Sequence, residues 1–393
     1  CAQGGESLEN FALWSALVFE NGDIDLPERY ASIDAPGVEQ ARQRLASEIE
    51  FWQWCQWIVF DQLIRAQEGA RRLGMDMGIM SDLAVGVHSK GSEIWSMPDA
   101  FAPGMSVGAP PDMYSQQGQN WAQPPWSPRS LAQMGYAPLR DMLRSVLSYA
   151  GAVRIDHILG LFRLWWIPEG MGAQAGAYVS YDHEAMVGIV LLEAQRAGAV
   201  VIGEDLGTVE PWVRGYLNDR GILGTSVLWF EKDGSGWPLW PDHYRRSCLA
   251  AVTTHDLPPT LGYLEGAHTE LRNELGLLVE DLDQVRDADR IERERMVSRL
   301  REGGFIHEDD PSEEELVLAM HAYLAASPAL LLAVSLVDVV GEKLPQNLPG
   351  TNAEYPNWCV PLHAFNGKEV LIDDMAHCDR VKRFLTSVDR YIR

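Results

Sequence analysis

Three carboxylates stand at the ends of apolar runs: Asp156 closes "AVRID", Glu204 closes "VVIGE" and Asp256 closes "VTTHD". Each has a neighbour that would shape its chemistry. Arg154 lies two residues before Asp156, so on a strand both side chains leave the same face. A guanidinium there would hold the carboxylate ionised, as a nucleophile requires. Glu204 follows Gly203 on a run that reads as buried. Desolvation would raise its pKa, which suits a general acid. His255 sits beside Asp256 and could hydrogen-bond a substrate hydroxyl. Two carboxylates about 5 Å apart with a third nearby are the equipment of retaining glycoside chemistry. In that reading Asp156 attacks the anomeric carbon, Glu204 protonates the leaving oxygen and Asp256 binds ring hydroxyls. The residues alone leave another account open, in which the acids cap helices or pair with arginine. Asp205, next to Glu204, is expected to cap or brace the segment after it.

Such a trio needs a frame that brings distant segments together. Residues 5–70 show helical spacing and end near Gly74, and residues 75–87 read as a short strand with a loop. Residues 97–138 are rich in Pro, Gly, Gln, Trp and Tyr, with little periodicity, and read as a long functional loop. "LRDMLRSVLSYAG" predicts a helix and "AVRIDHILGLFRLWWIP" one buried strand. Helices are expected near 184–197 and 209–218, and across the charged stretch 266–315. "LVLAMHAYLAAS" predicts a helix and "ALLLAVSLVDVVGE" a buried strand. Six strands are expected, near 77–81, 152–156, 200–204, 225–230, 250–255 and 330–337. They are continuous apolar runs alternating with helices, the mark of a parallel sheet covered on both faces. The fold class is therefore α/β, a (β/α)₈ TIM-type barrel with helical subdomain insertions and catalytic groups at the C-terminal strand ends. Eight strands close a barrel, so the chain is expected to be N-terminally truncated, with two strands preceding Cys1. The division expected is a helical subdomain over 1–74, barrel strands with the site over 75–265, a helical insertion over 266–315, and a last strand and helices over 316–393.

Composition narrows the partners. The formal charge is −24. A surface this acidic repels phosphate backbones, so neither nucleic acid nor an anionic membrane is an expected partner. A neutral ligand fits better, and fourteen Trp and twelve Tyr offer flat faces for sugar rings as well as core packing. Five cysteines stand at positions 1, 55, 248, 359 and 378 without a CxxC pair, which argues against zinc or redox centres and for reduced thiols in a cytoplasmic setting. "GMSVG" (104–108) fits a serine nucleophile pattern, but Pro103 precedes it and Ala-Pro-Pro follows, so the required strand–turn–helix cannot form. No phosphate-binding glycine motif is present. His88, His183 and His243 stand apart and read as structural.

Longer stretches carry a resemblance. "AVRIDHILGLFRLWWIPEG", "VIGEDLGTV", "THDLPPTLGY", "SVGAPPDMYSQQGQNW", "GIMSDLAVGVHSKGSEIW" and "NLPGTNAEYPNW" resemble motifs of the amylomaltases, the 4-α-glucanotransferases of glycoside hydrolase family 77. The resemblance runs from about residue 8 to the C-terminus, with the motifs in the family's order. It implies a barrel related to the α-amylases and disproportionation of α-1,4-glucans without a metal or organic cofactor. The substrates implied are maltooligosaccharides, with glucose or another glucan as acceptor. It implies Asp156 as nucleophile, Glu204 as acid/base and Asp256 as transition-state stabiliser, with Arg154, His255 and Asp82 as further active-site positions. A loop that arches over the glucan in the family corresponds to 106–121, where Pro111, Asp112, Tyr114, Gln119 and Trp121 would contact sugar. The Leu257-Pro258 ending departs from a commoner Asn-Asp and is read as a subtype. A hydrolase using the same acids, and a glucan-binding fragment without turnover, are the rival readings. Whether the chain forms a homodimer is left open.

Overall fold

A computed structural model describes residues 4–111, 117–207, 209–351 and 353–392. The chain divides into two compact units, Cys1–Val209 and Glu210–Arg393. The strands in chain order are β1 (Met80–Leu83), β2 (Met105–Ala109), β3 (Gln119–Gln123), β4 (Ala152–Ile155), β5 (Arg163–Pro168), β6 (Ala177–Ser180), β7 (Val200–Gly203), β8 (Gly224–Val227), β9 (Cys248–Ala251) and β10 (Leu331–Ala333). All six strands expected from apolar runs are among them, each shorter than expected. They pair in parallel as two three-stranded sheets, β1-β4-β7 in the first unit and β10-β9-β8 in the second. β4, β8 and β9 are buried at every position, as continuous apolar runs demand when both faces are covered.

In the first unit, helices return the chain between these strands. Helix Ala137–Leu147 buries Leu139, Leu143 and Leu147 at fourfold spacing. Helix His183–Ala197 is capped by the Asp182 carboxylate, which accepts the Ala185 N–H, and it stops at Gly198 with φ 65°. The two helices are bolted by Arg144 and Glu193, whose paired hydrogen bonds measure 2.9 and 3.1 Å. The unit opens with helices Gly5–Asn21, Val38–Arg44 and Ala46–Arg72 around a small core of Leu13, Leu17, Val38 and Ile49. The last helix leaves Phe51, Trp54 and Trp57 exposed.

Three expectations need correction. Residues 97–138 are not structure-poor: they contain β2, β3 and helix Pro128–Gln133. β2 lies between β3 and β5 in a four-stranded antiparallel sheet of order β3-β2-β5-β6. A register shift at Val107/Gly108 hides the alternation that would have disclosed the hairpin. Ser106 sits inside β2, so "GMSVG" is strand and no elbow. The single strand read from "AVRIDHILGLFRLWWIP" is two, β4 and β5, parted where His157 takes φ 45° and a 3₁₀ turn covers Ile158–Leu161. Likewise "ALLLAVSLVDVVGE" is β10 followed by helix Leu336–Val340, which Gly341 ends with φ 94°.

In the second unit, helix Glu313–Ala325 starts at a capping box in which Ser312 and Glu315 exchange hydrogen bonds. The charged stretch before it is helical as expected, over Ala267–Glu274 and Leu282–Glu302.

Candidate active site

The sheet β1-β4-β7 sets the first part of the site by register alone. Asp82, Arg154 and Ile202 are partners across it. The Arg154 side chain is 10 % exposed, whereas those of Asp82 and Asp156 are 45 % and 34 % exposed. A nearly buried cation thus faces two carboxylates that open to solvent. Its Nη1 lies 2.6 Å from Asp82 Oδ1 and its Nη2 3.0 Å from Asp156 Oδ1. Burial works against the guanidinium charge, but Asp82, Asp156 and Glu204 outweigh it and raise the Arg154 pKa.

Asp156 and Glu204 follow the register pair Ile155–Gly203 directly. Glu204 N–H donates to Ile155 O at 2.9 Å, and Ile158 N–H donates to Glu204 O at 2.9 Å. Neighbouring strands lie about 4.8 Å apart, so the two acids leave adjacent chain ends at roughly that backbone separation. The Glu204 carboxylate accepts two main-chain N–H groups: Leu206 on Oε1 at 2.6 Å and His157 on Oε2 at 3.1 Å. Burial pushes its pKa up to about 7 and Asp156 adds to the rise, while the Leu206 N–H, Arg154 and the His157 N–H pull the other way. At neutral pH this acid carries a proton for much of the time.

His157 delivers its N–H from a left-handed conformation that non-glycine residues seldom adopt. Its imidazole is pushed down to about 4 by burial and is therefore neutral at pH 7. Trp121 stands edge-on to it with ring centres 5.4 Å apart, and Trp121 Nε1 donates to Gln119 Oε1 at 2.9 Å. The hairpin β2-β3 thus brings Trp121 beside the segment that carries Asp156. Pro111 is exposed just beyond β2. Asp112 and Tyr114 lie outside the described residues.

In the second unit, Asp256 is not at a strand end as expected. β9 stops at Ala251 and the acid sits in the loop beyond it, within which Thr253 Oγ1 donates to Pro258 O at 2.7 Å. Asp256 Oδ2 is 3.2 Å from His255 Nε2, and its Oδ1 accepts Asn347 Nδ2 at 2.6 Å. Asn347 N–H also donates to His255 O at 3.3 Å. Trp358, with φ 63°, lies 5.2 Å from the His255 ring and is 63 % exposed.

A sequence profile described as 4-alpha-glucanotransferase, that of glycoside hydrolase family 77, matches residues 1–366. The chain belongs to glycoside hydrolase family 77. A 4-alpha-glucanotransferase of Mycobacterium tuberculosis is 50% identical over 378 residues, covering 94% of this chain and 52% of that protein. The 4-alpha-glucanotransferase of Haemophilus influenzae is 38% identical over 323 residues, covering 80% of this chain and 46% of that protein. The amylomaltase structure from Corynebacterium glutamicum matches with a TM-score of 0.89 and 42% identity, covering 99% of this chain and 55% of that one. The chain therefore spans about half the length of the relatives it matches.

Within this family 77 chain, the first unit gathers Asp82, Arg154, Asp156 and Glu204, and the second pairs His255 with Asp256. Sequence reasoning missed the main-chain donors of His157 and Leu206, which no side-chain identity discloses. It also missed Asn347 and Trp358. They are the first and last residues of "NLPGTNAEYPNW", a stretch whose resemblance assigns no role to its residues.

Proposed function

We propose that this chain carries the catalytic residues of a 4-α-glucanotransferase acting on α-1,4-glucans with retention. The observation that carries the reading is the pair Asp156 and Glu204 on adjacent parallel strand ends, one beside a buried guanidinium and the other held partly protonated at neutral pH. Adjacent strand ends keep the two acids near one another, as the close carboxyl spacing of a covalent route requires. Family membership and the relatives' names support the same reaction.

In the first step the Asp156 carboxylate attacks the anomeric carbon as the glycosidic C–O bond breaks. Glu204 gives its proton to the departing oxygen, so a shortened glucan leaves and a glycosyl ester remains. Glu204, now a carboxylate, takes the proton from the 4-hydroxyl of an incoming glucan or glucose as that oxygen displaces Asp156. Arg154 stabilises Asp156 whenever it is the free anion. Asp256 and His255 hold ring hydroxyls, and Asp82 keeps Arg154 in place. Trp121, Gln119 and Pro111 form the cover over the sugar, and the family resemblance adds Asp112 and Tyr114 as sugar contacts. Excluding water there favours transfer over hydrolysis. Both steps move one proton and a glucanosyl unit between groups of the chain and its substrates.

For the fold as a whole we propose the (β/α)₈ barrel, divided as the sequence suggests. Six parallel strands and the likeness to the solved amylomaltase support it. No helix among the described residues is long and apolar enough to cross a membrane.

The test is to incubate the full protein with maltotriose. Glucose together with maltooligosaccharides longer than the substrate is the expected outcome. Glucose and maltose without chain lengthening would replace transfer by hydrolysis. Asp156→Ala should lower kcat by about 10³-fold or more, since the ester could not form.

A further inference from the structure

The segment that carries Asn347 and Trp358 begins and ends on one buried carboxylate. Glu342 is 3 % exposed. Its Oε1 accepts the N–H groups of Lys343 at 2.7 Å and Leu344 at 2.9 Å. Its Oε2 accepts the N–H of His363 at 2.7 Å and stands 2.9 Å from His363 Nδ1. A carboxylate this deep is tolerated only where such donors surround it. Here the donors are the first two residues of the segment and its last.

Between these ends the segment is tied across itself by hydrogen bonds. Tyr355 Oη donates to Pro345 O at 2.7 Å, and Trp358 N–H donates to Gln346 O at 2.7 Å. Leu348, Tyr355 and Val360 form a small core, against which Leu271, Leu275 and Leu277 also pack. Trp358 is held at φ 63°, a conformation costly for a bulky side chain unless its surroundings enforce it. The closed segment presents outward the Asn347 amide, on Asp256, and the Trp358 ring, on His255.

We propose that Glu342 is a positioning residue for the transfer reaction: it fastens both ends of residues 343–363 and thereby holds Asn347 and Trp358 against the Asp256–His255 pair. The inference rests on the reading of Asp256 as a substrate-binding carboxylate. Glu342 itself touches no sugar. Its effect passes through where Asn347 holds the Asp256 carboxylate, and a displacement there of about 1 Å is enough to cost a large factor in rate.

The experiment compares the full chain with Glu342→Gln, Asn347→Ala and the double variant. The amide keeps the volume of Glu342 but places an NH₂ against N–H donors. Hydrogen exchange across 343–363 should quicken in Glu342→Gln while β8 and β9 keep their protection. Its kcat/KM on maltotriose should fall roughly ten- to hundredfold. In the Asn347→Ala background the same change should add less than about twofold, because both act on one contact. Effects that multiply in the double variant, or an activity loss matched by a general loss of protection, would overturn the proposal. Should Glu342→Gln not fold, His363→Ala removes one donor from a side chain that is 38 % exposed. It should show the same pattern at smaller amplitude, and wild-type exchange together with wild-type kcat/KM would overturn the proposal equally. Exchange is read without turnover. A wild-type chain that makes no transfer products would therefore refute the functional reading while the fastening is still tested.

Discussion

Glu204 is where burial and charge meet most directly. Its pKa is raised from the ordinary 4.5 to about 7, so it is the protonated form that the fold favours. As the proposed acid of the first step it must carry that proton, and kcat/KM should then fall as pH rises through about 7. A profile flat to well above that would remove Glu204 from the role. The same shift acts on stability. A group whose folded pKa exceeds its unfolded value contributes fully below the unfolded value, and that contribution is lost as pH rises through the folded one. Glu204→Gln removes the titration, so between about pH 4.5 and pH 8 wild type should lose stability relative to the variant by an amount on the order of 2–3 kcal/mol, on top of a pH-independent offset from setting an amide NH₂ against the Leu206 and His157 N–H groups. Activity would meanwhile be nearly abolished. Arg154, Asp156 and Glu204 could be read as neighbours from the sequence because each stands on or just beyond a buried strand. The His157 N–H was not, since its donation depends on a backbone angle that residue type does not announce.

At the scale of elements, close backbone approach sets the site. A Cβ on Gly203 would lie 2.9–3.0 Å from three carbons of Ile158. Ile158 is β-branched and fully buried, so it has little room to yield. Gly203→Ala should destabilise the protein by about 1–3 kcal/mol, and it should depress kcat more than KM because Glu204 moves with its strand. Chemical denaturation and steady-state kinetics on one preparation check both halves. The parallel strands were readable because burial on both faces writes an unbroken apolar run. The antiparallel sheet was not. β3 carries Gln, Asn and Trp, and Gly108 admits the Gln119 carbonyl so closely that an added Cβ would come within 1.9 Å of it. Composition of that kind looks like loop until pairing partners are known. Asp256 was misplaced at a strand end because "VTT" continues an apolar-looking run although β9 already ends at Ala251.

For the whole molecule, a formal charge of −24 bears on what can approach it. A neutral glucan feels almost none of that field, so kcat/KM for maltotriose should change by less than about twofold between low salt and about 0.5 M salt. A steep salt dependence would point to a charged substrate instead. The frame is also unusually strict about counting. Asp82, Arg154 and Ile202 are level with one another across β1, β4 and β7. One residue added to or removed from β4 would turn Arg154 to the opposite face and carry Asp156 out of step with Glu204. Lineages descending from this gene should therefore accumulate many exchanges of one amino acid for another around the strands, yet reject nearly every single-codon insertion or deletion between Ala152 and Asp156, and a saturating indel library selected for growth on maltose would measure that asymmetry.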